Sequence, residues 1–136
     1  MNNTKMNPVV HFEMPYEDKN RMAGFYAKAF GWKAEMMGEE FGNYVLVTTS
    51  ETDQSGMPKK IGMINGGFYK KPEDKMGQSP SVVIGIDDTE EAMEKIKAAG
   101  GKILGEPMDI PGYGLYISFL DTEGNRVGAM QPYQKM

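Results

Sequence analysis

The chain has 136 residues, 40% hydrophobic and 25% charged, a balance that suits one soluble folded domain and excludes disordered or collagen-like chains. Nineteen acidic residues against 15 basic ones leave a net charge of −4, which argues against the basic stripe a nucleic-acid binder needs. The absence of cysteine excludes disulfides, thiolate nucleophiles and zinc–cysteine sites. No run approaches the roughly 18 apolar residues of a membrane span, and the start lacks a signal-like apolar stretch. A cytoplasmic protein with neither nucleic-acid nor membrane partners is therefore expected.

Residues 1–7 are polar and predict a flexible N-terminus. Over residues 9–14 the alternation puts Val10, Phe12 and Met14 on a core face and Val9, His11 and Glu13 on the other. Pro15 breaks that strand, and Asp18 is placed to cap a helix over 18–30, whose Met22, Phe25, Tyr26, Ala29 and Phe30 form one stripe. Gly31 supplies the left-handed stop, with Trp32 tucked in beyond it. Strands are predicted over 33–37, 44–49 and 61–69, with a polar hairpin loop at 50–60 and a linker at 71–80.

The second half repeats this order. Val82, Ile84 and Ile86 read as the core face of a strand, with Ser81, Val83 and Gly85 opposite. Asp88-Thr89-Glu90-Glu91 reads as a capping box before a helix whose stripe is Ala92, Met93, Ile96 and Ala99, stopped by Gly100-Gly101. Strands near 102–104, 115–120 and 126–131 follow, the last two joined by a turn at 121–125. The expected fold is α+β: two tandem βαβββ modules, about 8–70 and 81–133, within a single domain over 8–136. Their sheets are expected to pair into a concave cleft that takes a small-molecule ligand.

His11, the single histidine, reads either as a general base or ligand, or as a strand histidine hydrogen-bonded in the cleft wall. Glu13 shares its face and needs a partner to offset desolvation. Asn65, Gly67 and Phe68 lie on the strand expected to line the cleft. There Gly66 and Gly67 would admit close backbone approach by a ligand or mark a bend. Ser81, Val83, Gly128 and Met130 fall on the corresponding faces of the second module, and Tyr113, between Gly112 and Gly114, reads either as an amphipathic ring on a binding loop or as a turn aromatic packed against the sheet. Neither a nucleophile elbow nor a phosphate loop or dinucleotide fingerprint is present.

Phe25-Tyr26, Phe30-Gly31-Trp32, the Ile86-Asp87-Asp88 turn, Gly100-Gly101, Ile110-Pro111-Gly112-Tyr113-Gly114 and the Asp121-to-Asn125 turn occur in an order that resembles the vicinal oxygen chelate superfamily. That superfamily includes glyoxalase I, extradiol dioxygenases and bleomycin-resistance proteins, and the chain looks most like its uncharacterised glyoxalase-related group. The resemblance implies a metal held by one ligand on each of four strands. His11 maps to the first position, Asn65 to Gly67 to the second, Ser81 to the third and Gly128 to the fourth. Only His11 is a strong ligand, with Glu13 available as a second, so a divalent metal is disfavoured. Beside a reading as an interaction module whose cleft is closed by side chains, the resemblance leaves two functions open. One is an isomerase or lyase acting on a polar carbonyl compound through His11 and Glu13; the other is a bleomycin-resistance-type protein that sequesters a small molecule. It also implies a homodimer.

Overall fold

The computed structural model describes residues 5–133. In chain order the elements are β1 (Val9–Tyr16), α1 (Lys19–Phe30), β2 (Lys33–Met36), β3 (Val45–Thr48), β4 (Asn65–Lys70), β5 (Ser81–Gly85), α2 (Thr89–Ala98), β6 (Lys102–Ile110), β7 (Gly114–Leu120) and β8 (Arg126–Pro132). The chain is α+β, and βαβββ occurs twice. No helix among the described residues is long and apolar enough to cross a membrane.

One compact unit comprises His11–Ser81. Its strand order is β2-β3-β4-β1, with β1 parallel to β4 and the other pairs antiparallel. Asp18 caps α1 by accepting from the Arg21 amide at 3.0 Å, and Gly31 ends it at φ 74. Tyr16, Val45, Val47 and Phe68 form the buried centre, against which Phe12, Met14, Met22, Tyr26 and Trp32 pack. Phe12 and Met14 thus face the core as predicted, whereas Val10 is not among the core residues and the α1 stripe is narrower than its pattern. Trp32 stacks on Tyr26 with centroids 4.6 Å apart and takes the inner place, so Phe25 and Phe30 stay 57% and 64% exposed.

Two boundaries in the β3 to β4 region differ from expectation. The strand predicted from residue 61 starts at Asn65, because Gly62 lies at φ 93 and turns the chain, leaving Ile61 fully exposed. Within the predicted linker, a 3-10 turn at Lys75–Gly77 is tied down by the Tyr69 hydroxyl, which donates to the Gly77 carbonyl at 2.7 Å.

The other unit joins the chain's start, up to Val10, to the residues from Val82 onward. Its strand order is β5-β8-β7-β6, with β5 parallel to β8. Ile86, Ile117 and Ala129 form its core, with Ile84, Ala92, Met93, Ile96 and Phe119 around them. The N-terminal arm belongs here: the Gly85 amide donates to the Pro8 carbonyl at 2.8 Å. β6 runs well past the predicted 102–104, because a register shift between Leu104 and Met108, with Gly105 at φ 69, absorbs the irregular residues as a bulge.

α2 is anchored at its first turn in two ways. The Asp88 side chain accepts from the Glu91 amide at 3.0 Å, and Gln131 Oε1 accepts from both the amide and the hydroxyl of buried Thr89 at 2.8 Å. Gln131→Met strips both donors of their acceptor, and an unmatched buried donor costs about 1–3 kcal/mol. Urea unfolding is expected to show a loss of about 2 kcal/mol for Gln131→Met and a smaller one for Gln131→Glu, which keeps the acceptor.

Candidate functional site

His11 and Glu13 project from the face of β1 opposite Phe12 and Met14, as alternation requires. Between them stands Tyr44, immediately before β3. The Tyr44 hydroxyl donates to Glu13 Oε2 at 2.9 Å and lies 3.0 Å from His11 Nε2. A phenol has one hydrogen. With that hydrogen committed to Glu13, the phenol oxygen accepts from His11, which fixes the proton on Nε2. The result is a directed chain, His11 Nε2–H to Tyr44 O–H to Glu13. Burial draws the His11 pKa from 6.5 down to about 4, so at neutral pH the imidazole is a neutral donor. Glu13 is only 9% exposed, which protects the chain's acceptor end from competing water.

Gly67 makes this arrangement possible. It pairs in register with Glu13 on one side and Leu46 on the other, and Tyr44 lies two residues before Leu46, so the phenol folds over the bare Gly67 backbone. A Cβ at Gly67 would collide with the Tyr44 hydroxyl and ring carbons. Gly66 does the same on the opposite face, where its missing Cβ admits the Phe12 ring. The glycine pair therefore marks neither a bend nor an open approach for a ligand. Its ladder is continuous, and the protein's own rings occupy both faces.

The other residues expected at the site are placed as follows. Asn65 is a staple for the β3 to β4 loop: its side-chain oxygen accepts from the Thr49 amide at 2.9 Å and its amide donates to Thr52 Oγ1 at 3.1 Å. Phe68 is a correction. It is 2% exposed in the core beside Tyr26, on the opposite face of β4 from Gly67, because adjacent strand residues alternate. The Ser81 hydroxyl is buried and finds no hydrogen-bond partner among the described residues.

In the other unit Val83 is 2% exposed and pairs with Gly128, and Met130 pairs with Tyr116. Gly128 has the same relation to Tyr116 as Gly67 has to Tyr44: a Cβ there would collide with the Tyr116 hydroxyl. Tyr113 is 45% exposed in the β6 to β7 turn, its carbonyl accepting from the Tyr133 amide at 3.0 Å. Sequence reasoning missed Tyr44. Its signal was the alternation of Tyr44, Leu46 and Thr48 opposite the core residues Val45 and Val47.

These residues do not fit a divalent metal. Of the ligand positions implied by the resemblance, Gly128 and, within the Asn65 to Gly67 stretch, Gly66 and Gly67 have no side chain, aromatic rings occupy the space one would enter, and the Asn65 side chain is held by Thr49 and Thr52. While the hydrogen bond to Tyr44 stands, His11 Nε2 carries a proton and has no lone pair to offer an ion. Among the described residues no three His, Asp or Glu side chains gather as such an ion needs.

Residues 9–128 match the model of the Glyoxalase/Bleomycin resistance protein/Dioxygenase superfamily. A glyoxylase-like domain-containing protein of Didymella fabae is 28% identical over 114 residues, covering 83% of this chain and 84% of that one. A 51-residue stretch is 41% identical to small ribosomal subunit protein eS6 of Yarrowia lipolytica, 36% of this chain and 21% of that one, so the chain spans about a fifth of that relative. Among solved structures, a variant methylmalonyl-CoA epimerase of Streptomyces coelicolor in complex with 2-nitronate-propionyl-CoA superposes with a TM-score of 0.68. It is 16% identical, over 96% of this chain and 100% of that one, a likeness of fold.

Proposed function

We propose, for a chain that belongs to the Glyoxalase/Bleomycin resistance protein/Dioxygenase superfamily, that it is a metal-independent proton-transfer enzyme of the isomerase or lyase type acting on a polar carbonyl compound. The observation that carries this reading is the directed chain from His11 through Tyr44 to Glu13. Glu13 is the base. It takes the proton from a carbon next to the substrate carbonyl: the C–H bond breaks, an O–H bond forms on Glu13, and the electron pair moves to the carbonyl oxygen. Once protonated, Glu13 is a poorer acceptor, and the Tyr44 hydroxyl is released to donate to the developing enolate oxygen. His11 keeps its N–H on the phenol oxygen throughout and acts as a positioning residue. Return of the proton from Glu13 to carbon completes the cycle.

The epimerase neighbour, bound to an acyl-CoA derivative, supports acyl thioesters as the first substrates to try. The test is exchange in D2O, followed by NMR at the carbon next to the carbonyl, over a panel of acyl thioesters and 2-hydroxy ketones. The native protein is expected to exchange at least one member, and Glu13→Gln to slow that exchange about a hundredfold, the low end of what a positioned base supplies. Exchange unchanged by Glu13→Gln would remove Glu13 from the base role. Tight binding with the compound recovered unchanged would favour the sequestering function instead.

A further inference from the structure

The two units repeat one detail that the β-strand pattern alone does not demand. In the first, Gly67 pairs with Glu13 and with Leu46, and the aromatic two residues before Leu46 is Tyr44. In the second, Gly128 pairs with Val83 and with Ser118, and the aromatic two residues before Ser118 is Tyr116. In both, the phenol oxygen is among the atoms nearest to where the missing Cβ would stand. Glycine inside a strand gives up side-chain packing and backbone entropy, so its use at both equivalent positions needs a compensating gain. The gain in each case is a hydroxyl seated on the sheet.

We propose that Tyr44 and Tyr116 are built into the space that side chains at positions 67 and 128 would take, so that each unit carries a seated phenol in place of a metal ligand and the His11 site does not take up a divalent ion. In the first unit the phenol lies between His11 and Glu13 and engages both. An ion bound there would have to displace the Tyr44 hydroxyl and would still find only two strong protein donors, against the three or four that hold zinc. In the second βαβββ repeat the residues at the places of His11 and Glu13 on the first strand are Ser81 and Val83, so the repeat keeps the phenol without the imidazole and the carboxylate. The inference is independent of whether the site turns over a substrate, because metal uptake and stability are read without one.

Equilibrium dialysis against Zn²⁺ or Ni²⁺ alone tests it on the full chain. The native protein is expected to hold well under one equivalent at about 10 μM free ion. The double variant Tyr44→Ala/Gly67→Glu removes the phenol and sets a carboxylate as a third donor beside His11 and Glu13; it is expected to bind at least about tenfold tighter. A stoichiometric ion on the native protein, or native-level uptake by a folded double variant, overturns the proposal. Should the double variant fail to fold, alanine cycles decide. Gly67→Ala is expected to lower the melting temperature by about 5 °C in the native background and much less beside Tyr44→Ala, with the same pattern for Gly128→Ala and Tyr116→Ala. Additive effects in both cycles would overturn it.

Discussion

Phe68→Ala is expected to destabilise the protein by about 3–5 kcal/mol, lowering its melting temperature by roughly 10–20 °C. Phe68 is 2% exposed and shares a core cluster with residues from three parts of its unit: Tyr16 at the end of β1, Val45 and Val47 of β3, and Tyr26 of α1, whose ring centroid lies 5.4 Å away. Truncation removes the transfer free energy of a benzyl group and leaves a cavity that β-branched valines, stiff at χ1, cannot collapse to fill. Phe68→Leu keeps most of the volume and is expected to cost about 1–2 kcal/mol. Chemical denaturation of the three proteins measures both values. A Phe68→Ala protein within about 1 kcal/mol of native, but with weakened ligand binding, would place the ring at the site instead of in the core.

The same residue shows where sequence reading ended. The helix caps were legible because their signals are local: an aspartate before each helix accepts from an amide three residues on, and Gly31 takes the left-handed turn. The β1 faces were legible by alternation. That rule also keeps Gly67 and Phe68 on opposite faces of β4, with Phe68 on the core side. Tyr44 was harder to see. Its place depends on two register assignments, Leu46 with Gly67 and Gly67 with Glu13, which bring together residues 31 positions apart. Register between distant strands is a product of tertiary packing: the local alternation around Tyr44 reports its face but not its partners across the sheet. The bare glycines carried half of the message: a strand glycine leaves a space, and only the folded chain shows what enters it.

Acid should weaken the protein through its single histidine. Burial holds the His11 pKa at about 4 in the folded state against 6.5 when exposed, with desolvation the cause. Between these values the unfolded chain binds a proton that the folded chain refuses, so stability rises with pH across that window. The His11 contribution is fully present above about pH 6.5 and is lost as pH falls toward 4; a shift of 2.5 pH units corresponds to about 3 kcal/mol. Other carboxylates titrate in the same range, so the informative quantity is the difference between native protein and His11→Asn, measured by urea unfolding from pH 7.5 to pH 4. That difference is expected to fall by about 3 kcal/mol in favour of the variant. Because the chain has one histidine, its imidazole gives one set of ring NMR signals, which should remain in the neutral position down to about pH 4. A midpoint near 6.5, or stability curves that run parallel, would mean that water reaches the imidazole. Tyr44 would then face an imidazolium below about pH 6.5, a charged donor that keeps the direction of the hydrogen-bond chain to Glu13 but makes its strength depend on pH.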